Sequence, residues 1–180
     1  MDKPSKNDQL KARLEQDILR GFLSPYNCWS GKAFRFLRQG NPNCVPPEPD
    51  FICRDNGTGE QIGVEVTTAY YDEAHATSEW KQSRGEETSP YFLKNPDYVE
   101  NERVLDRVAL KIRDKATKRY EAPGKLLLVV LTYSWRLYLS DVQERLDVFE
   151  LPKSHRFDEI HLASQNEIYQ LFPGRKWLFP

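Results

Sequence analysis

The chain has 180 residues, of which 39% are hydrophobic and 29% charged, and a net charge of −1. That length suits one domain with a workable core, and the near-neutral balance excludes a global field that recruits nucleic acid, so any such binding needs a local basic patch. The first sixteen residues of the sequence lack the apolar core of a signal peptide, no run approaches the ~20 residues of a membrane helix, and Cys28, Cys44 and Cys53 fit neither complete disulfide pairing nor a zinc spacing. The expectation is a soluble, cytoplasmic protein with reduced thiols and no membrane partner.

Leu10, Leu14, Ile18 and Phe22 recur at four-residue spacing, which predicts a helix over about 7–23, ended by Ser24-Pro25. Glu15 lies beside its apolar stripe. The segment 29–37 mixes aromatic and basic residues (Trp29, Lys32, Phe34, Arg35, Phe36) and reads as a strand or as a second short helix. Aromatics interleaved with Arg can stack on bases, although alternating Phe residues are more commonly core. Four prolines between Gly40 and Pro49 mark a loop.

Next come two short apolar runs, 50–53 and 62–67, around the turn-rich Arg54-Asp55-Asn56-Gly57-Thr58-Gly59. That pattern predicts a hairpin. Alternation places Gly63, Glu65 and Thr67 on one face and Ile62, Val64 and Val66 on the other. In such a hairpin Asp50 comes close to Glu65, and paired carboxylates at a sheet edge suit Mg²⁺ or Mn²⁺.

A long polar stretch over about 70–95 follows, with Asp72, Glu73 and His75 near its start. An Asp-Glu-x-His cluster can bind metal or simply be solvated, and a loop of this length is usually functional or mobile. Asn95-Pro96 opens a helix expected to run to Tyr120, before Ala122-Pro123-Gly124. It carries the local basic patch: Arg103, Arg107, Lys111, Arg113, Lys115, Lys118 and Arg119. Leu105, Val108, Ala109, Ile112 and Ala116 share one arc, with Lys115 about 70° and Lys111 about 110° from its middle. Lys115 can thus bury its stem while its ammonium reaches the sheet edge.

The run 125–133 is nearly continuous aliphatic residues, as in a strand covered on both faces. Ser140 with Gln143 is a capping box opening a short helix to about Phe149. The segment 157–163 is a further strand. Ser164 with Glu167 is a second capping box, predicting a last helix that Pro173-Gly174 ends.

Pro49-Asp50 followed by Glu65-Val66-Thr67 resembles the core of the PD-(D/E)XK nuclease superfamily, the restriction-endonuclease-like fold. The resemblance extends from the first helix to about residue 164, and the order of elements matches an α-β-β-β-α-β core if a first strand lies between Trp29 and Val45. It implies one α/β domain over residues 1–180, with a mixed central sheet, helices on both faces and an insertion at about 70–95. It further implies metal-dependent hydrolysis of nucleic acid, DNA ahead of RNA, by Asp50, Glu65 and Lys115. Mg²⁺ or Mn²⁺ would be held by Asp50, Glu65 and the carbonyl of Val66. Many such nucleases carry a Glu on the first helix, here Glu15, and many act as homodimers. The usual motif Lys is Thr67 here, whose hydroxyl carries no charge. Some members move that Lys to a neighbouring helix, and Lys115 is the best-placed substitute. Two alternatives stand beside this one. One is an inactive nuclease-like domain that binds nucleic acid or a protein partner. The other is an α/β interaction domain in which Glu65 pairs with a structural Lys or Arg.

Overall fold

The computed structural model, which describes residues 6–70, 77–78, 81, 84–86, 101–132, 139–164 and 167–179, is an α/β structure built on one mixed, open sheet of seven strands. Helix α1 (Lys6–Ser30) leads into β1 (Phe34–Gln39), β2 (Phe51–Asp55) and β3 (Gln61–Ala69). Helix α2 (Asn101–Ala116) and β4 (Lys125–Thr132) follow. A 3₁₀ turn (Leu139–Val142), α3 (Gln143–Asp147), β5 (Glu159–Ala163), β6 (Ile168–Phe172) and β7 (Lys176–Phe179) complete the chain.

Strands neighbour one another in chain order. The β3–β4 and β4–β5 pairs are parallel and the other four antiparallel. Parallel neighbours need crossovers; α2 makes the first and the 3₁₀–α3 segment the second. Both lie on one face, where Val104, Leu105, Val108, Ile112, Leu139 and Leu146 pack against Leu126, Leu128, Val130, Ile160 and Leu162. The other face is covered by α1, whose Ile18, Leu19, Phe22 and Leu23 meet Phe51, Val64, Val66, Leu127 and Val129. Strand β4 is therefore buried on both sides, which explains its aliphatic run.

The structure departs from the sequence-based expectations at four places. Helix α1 continues through Pro25 to Ser30. Proline there removes the N–H that would reach Gly21, but Phe22, Leu23 and Tyr26 around it are buried in the core, and that packing holds the last turns. Gly31, with φ of 68°, then ends the helix. Segment 29–37 is divided between the end of α1 and the strand β1. Helix α2 stops at Ala116 rather than at Tyr120; its expected start at Asn95-Pro96 lies outside the described residues, as do Asp72, Glu73 and His75.

The fourth departure is the expected last helix, which is the strand pair β6–β7. Ser164 and Glu167 do not cap a helix. The Ser164 N–H donates to the Glu167 carbonyl at 2.9 Å, closing the turn into β6, while the Glu167 carboxylate accepts from the Leu139 N–H and the Ser140 hydroxyl. Beyond it Ile168 faces the α1 layer and Tyr169 and Leu171 belong to the α2 layer. Cys28, Cys44 and Cys53 are free thiols, and no described helix is long and apolar enough to cross a membrane.

Candidate functional site

Register sets the site. Phe51 pairs with Val64, so Asp50 stands just where β2 begins, level with Glu65 in β3. Two glycines let the chain approach closely there. A Cβ on Gly40 would lie 1.7 Å from the Pro49 carbonyl oxygen, and one on Gly63 would lie 2.6 Å from the Pro49 ring. The Gly40 N–H donates to the Asp50 carbonyl at 3.0 Å, fixing the bend.

The two carboxylates are interlocked through the backbone. The Asp50 N–H donates to Glu65 Oε2 at 3.1 Å, and the Val66 N–H donates to Asp50 Oδ2 at 2.9 Å. Glu65 is only 4% exposed. Lys115 arrives from α2 and places its ammonium 2.5 Å from Glu65 Oε1. Tyr120 donates its hydroxyl to the same oxygen at 2.9 Å.

Tyr120 had no signal in the helical pattern. On a continuous helix it would project about 140° round from Lys115. Because α2 ends at Ala116, the chain folds back instead, and the Glu121 N–H donates to the Pro47 carbonyl at 2.9 Å. The segment after the helix is thereby tied to the loop that delivers Asp50.

Charge is unbalanced here. Burial, and then the neighbouring Glu65 charge, push the Asp50 carboxyl up to about 7, against the Val66 N–H and Lys115. Burial also raises Glu15, which lies within electrostatic range of Lys115, Glu65 and Asp50 and 3.6 Å from Lys11. Tyr120 is raised by burial and by Glu65. Thus three carboxylates gather around one buried-stem lysine. Val66 turns its side chain into the α1 layer, and Thr67 is half-buried. Arg107, Arg113, Lys118 and Arg119 are exposed.

The pair of oxygen donors from Asp50 and Glu65 is of the type that a hard divalent cation takes. Among the described residues no group of three or more His, Cys, Asp and Glu is positioned to hold a metal. The pair fits the sparse mode of Mg²⁺, which keeps waters and takes one or two carboxylates with substrate phosphate.

No family model, curated protein or solved structure matches the chain.

A second buried glutamate lies on the opposite face of the sheet. Glu159 accepts from the Tyr26 hydroxyl at 3.2 Å and the Lys125 ammonium at 3.3 Å, and its other oxygen is 3.0 Å from His161 Nε2. His161 is fully buried against the rings of Phe22 and Tyr26. Burial pushes Glu159 up, but His161 and Lys125 together hold it below the ordinary range. His161 is lowered, chiefly by burial. The sequence pattern contained this cluster only as polar residues inside an apolar strand.

Proposed function

We propose that the protein hydrolyses phosphodiester bonds of nucleic acid, DNA ahead of RNA, with Mg²⁺ or Mn²⁺ on a restriction-endonuclease-like core. The observation that carries this proposal is the convergence of Asp50, Glu65 and the helix-borne Lys115 at one sheet edge. The α-β-β-β-α-β order from α1 to β4 supports it. Asp50 and Glu65 would hold the metal, and the hydrogen bond from Val66 to Asp50 keeps that peptide beside them. When bound, the ion would polarise the phosphate and lower the pKa of a water. Lys115 stands where the motif lysine is replaced by Thr67 and supplies positive charge beside the charge that develops on the phosphate. Tyr120 fixes the orientation of Glu65 through its hydroxyl.

Thermal melts of wild type and Asp50→Ala/Glu65→Ala, each with and without millimolar Mn²⁺, test the metal assignment. The expected result is a metal-dependent rise in wild type that the double variant lacks, with metal-dependent cleavage of single- or double-stranded DNA lost in parallel. A wild type indifferent to Mn²⁺ and Mg²⁺ overturns it.

One observation favours a non-cleaving domain instead. Both Glu65 oxygens already accept hydrogen bonds, from Lys115, Tyr120 and the Asp50 N–H, as in a structural buried pair. In that case Glu65→Gln lowers the melting temperature, metal changes nothing, and any nucleic-acid binding proceeds equally in chelator.

A further inference from the structure

The β1–β2 ribbon and the turn that leads into it carry four cations, and they are not treated alike. Lys32 is paired with Glu60 at 2.9 Å, and Arg38 is held by both oxygens of Glu48, at 2.6 and 2.7 Å. Arg35 and Arg54 have no ion pair among the described residues. Yet the register sets Arg35 directly opposite Arg54, so both side chains stand on the same face. Like charges directly opposite across a strand pair destabilise it. Both residues are exposed.

A cleft of about 490 Å³ opens beside them, lined by Arg35, Arg54, Phe36 and the turn Asn56-Gly57-Thr58. Phe36, next along β1, turns to the other face of the ribbon, where its ring meets Phe51. The one acid of the lining, Asp55, is engaged elsewhere: it accepts from the Ala33 N–H at 2.7 Å and the Thr58 hydroxyl at 2.6 Å. Those hydrogen bonds, with Thr58 foremost, hold it at about 2.

We infer that Arg35 and Arg54 form a phosphate clamp for the backbone of a nucleic acid. An anion between the two guanidiniums removes the cross-strand repulsion, and Arg is suited to bidentate phosphate contact. Position supports a nucleic acid over a small anion. Arg54 pairs with Gln61 and Ile52 with Gly63, so Arg54 lies on the sheet face that carries Glu65. Arg54 lies four residue steps from Asp50, about 13 Å along a strand. One nucleic-acid strand rising about 3.4 Å per nucleotide covers that in roughly four nucleotides. A chain of phosphates gripped at Arg35 and Arg54 is long enough to span that distance, running outside Pro49 and Ala122, which cover Gly63 on this face. The clamp is a binding site and stands whether or not Asp50 and Glu65 cleave.

The test is fluorescence anisotropy with labelled single-stranded and duplex DNA oligonucleotides in EDTA, from about 50 to about 200 mM salt. Arg35→Gln/Arg54→Gln is compared with wild type and with Lys153→Gln/Arg156→Gln, which removes the same charge from exposed residues elsewhere. The clamp variant should bind at least tenfold more weakly and lose about 1.5 to 2 from the log–log salt slope, one phosphate contact per arginine. Melting temperatures of Arg35→Gln and Arg54→Gln singly should hold or rise, because repulsion is relieved. Equal losses in the clamp and control variants overturn the inference, as does wild type that fails to bind. Competition by polyglutamate as effective as by an oligonucleotide of equal charge overturns the phosphodiester assignment. Failure of the nuclease proposal looks different: binding in EDTA persists while no metal restores cleavage.

Discussion

Two buried glutamates, on opposite faces of one sheet, are served by the same partners and end in opposite states. Glu65 takes a lysine ammonium and a tyrosine hydroxyl, from Lys115 and Tyr120. Glu159 takes the same two groups, from Lys125 and Tyr26. The next neighbour decides the outcome. Glu159 faces His161, and the cluster closes on itself as a neutralised, stacked core. Glu65 faces Asp50, with Glu15 behind it, and the site keeps more negative charge than its lysine offsets. A buried carboxylate with a proton-bearing neighbour is architecture. One with a second carboxylate as neighbour is where the proposed cation would bind.

The largest expected effect separates these roles at Lys115. Lys115→Ala removes the one cation facing two carboxylates and should lower cleavage by about 10²–10³-fold, the scale of losing one charge-stabilising group. It also leaves Glu65 buried without its counter-charge, which costs about 3–5 kcal/mol of stability. Millimolar Mn²⁺ should restore more melting temperature to this variant than it adds to wild type, because the ion replaces the missing positive charge. Cleavage assays and melts on the same preparation check both statements, and retained cleavage in Lys115→Ala sinks the assignment.

The counterpart is Glu159→Ala, which orphans the Tyr26 hydroxyl and the fully buried His161. About 3 kcal/mol of stability should be lost. Here Mn²⁺ should raise the melting temperature by the same increment as in wild type. A changed increment would join the two faces and break the contrast.

How much of this contrast was legible beforehand follows from which side chains report their own environment. Alternation in 62–67 placed Glu65 on a face opposite Val64 and Val66, and the aliphatic run marked β4 as covered twice. The spacing of Leu105, Val108 and Ile112 put Lys115 at the edge of a buried arc, and the structure brings it to Glu65. Tyr120 was hidden, because its position depends on where α2 frays, and that is decided by the Glu121–Pro47 bond to a distant loop. The β6–β7 pair was read as a helix for a related reason. Ser164 and Glu167 carry capping chemistry, but their partners lie across a turn and on Leu139–Ser140, not along a helix. Both misses are long-range hydrogen bonds, to which local spacing is blind.

Acidity sharpens the comparison, since the two sites should respond with opposite sign. Asp50 is raised from 3.8 to about 7, so folding takes up a proton in that window. Its stabilising contribution is fully present below the unfolded value and is lost as pH rises through about 7. Glu159 and His161 are both lowered, from 4.5 and 6.5, so their contribution is present at neutral pH and is lost as pH falls. Asp50→Asn keeps an acceptor for the Val66 N–H while removing the charge. Between about pH 4 and pH 8 it should lose the decline in melting temperature on the alkaline side and keep the acid one. Glu159→Gln should keep the alkaline decline and steepen the acid one, because Glu159 is the group that raises His161 against its burial. Identical pH profiles for the two variants would mean that neither neighbour sets the charge state of its site.

The smallest effect is the most symmetrical. Tyr120→Phe and Tyr26→Phe each delete one hydroxyl from one buried glutamate and leave its lysine in place. Each should cost about 1.5–3 kcal/mol, the range for a hydrogen bond to a charged group. Without metal the two losses should be similar. Glu65 can recover its missing partner from a divalent ion, whereas Glu159 is enclosed by His161, Tyr26 and the α1 layer. Added Mn²⁺ should therefore shrink the deficit of Tyr120→Phe and leave that of Tyr26→Phe unchanged. A double-mutant cycle with Asp50→Asn measures the difference, because Tyr120 should couple to Asp50 through Glu65 and Tyr26 should not.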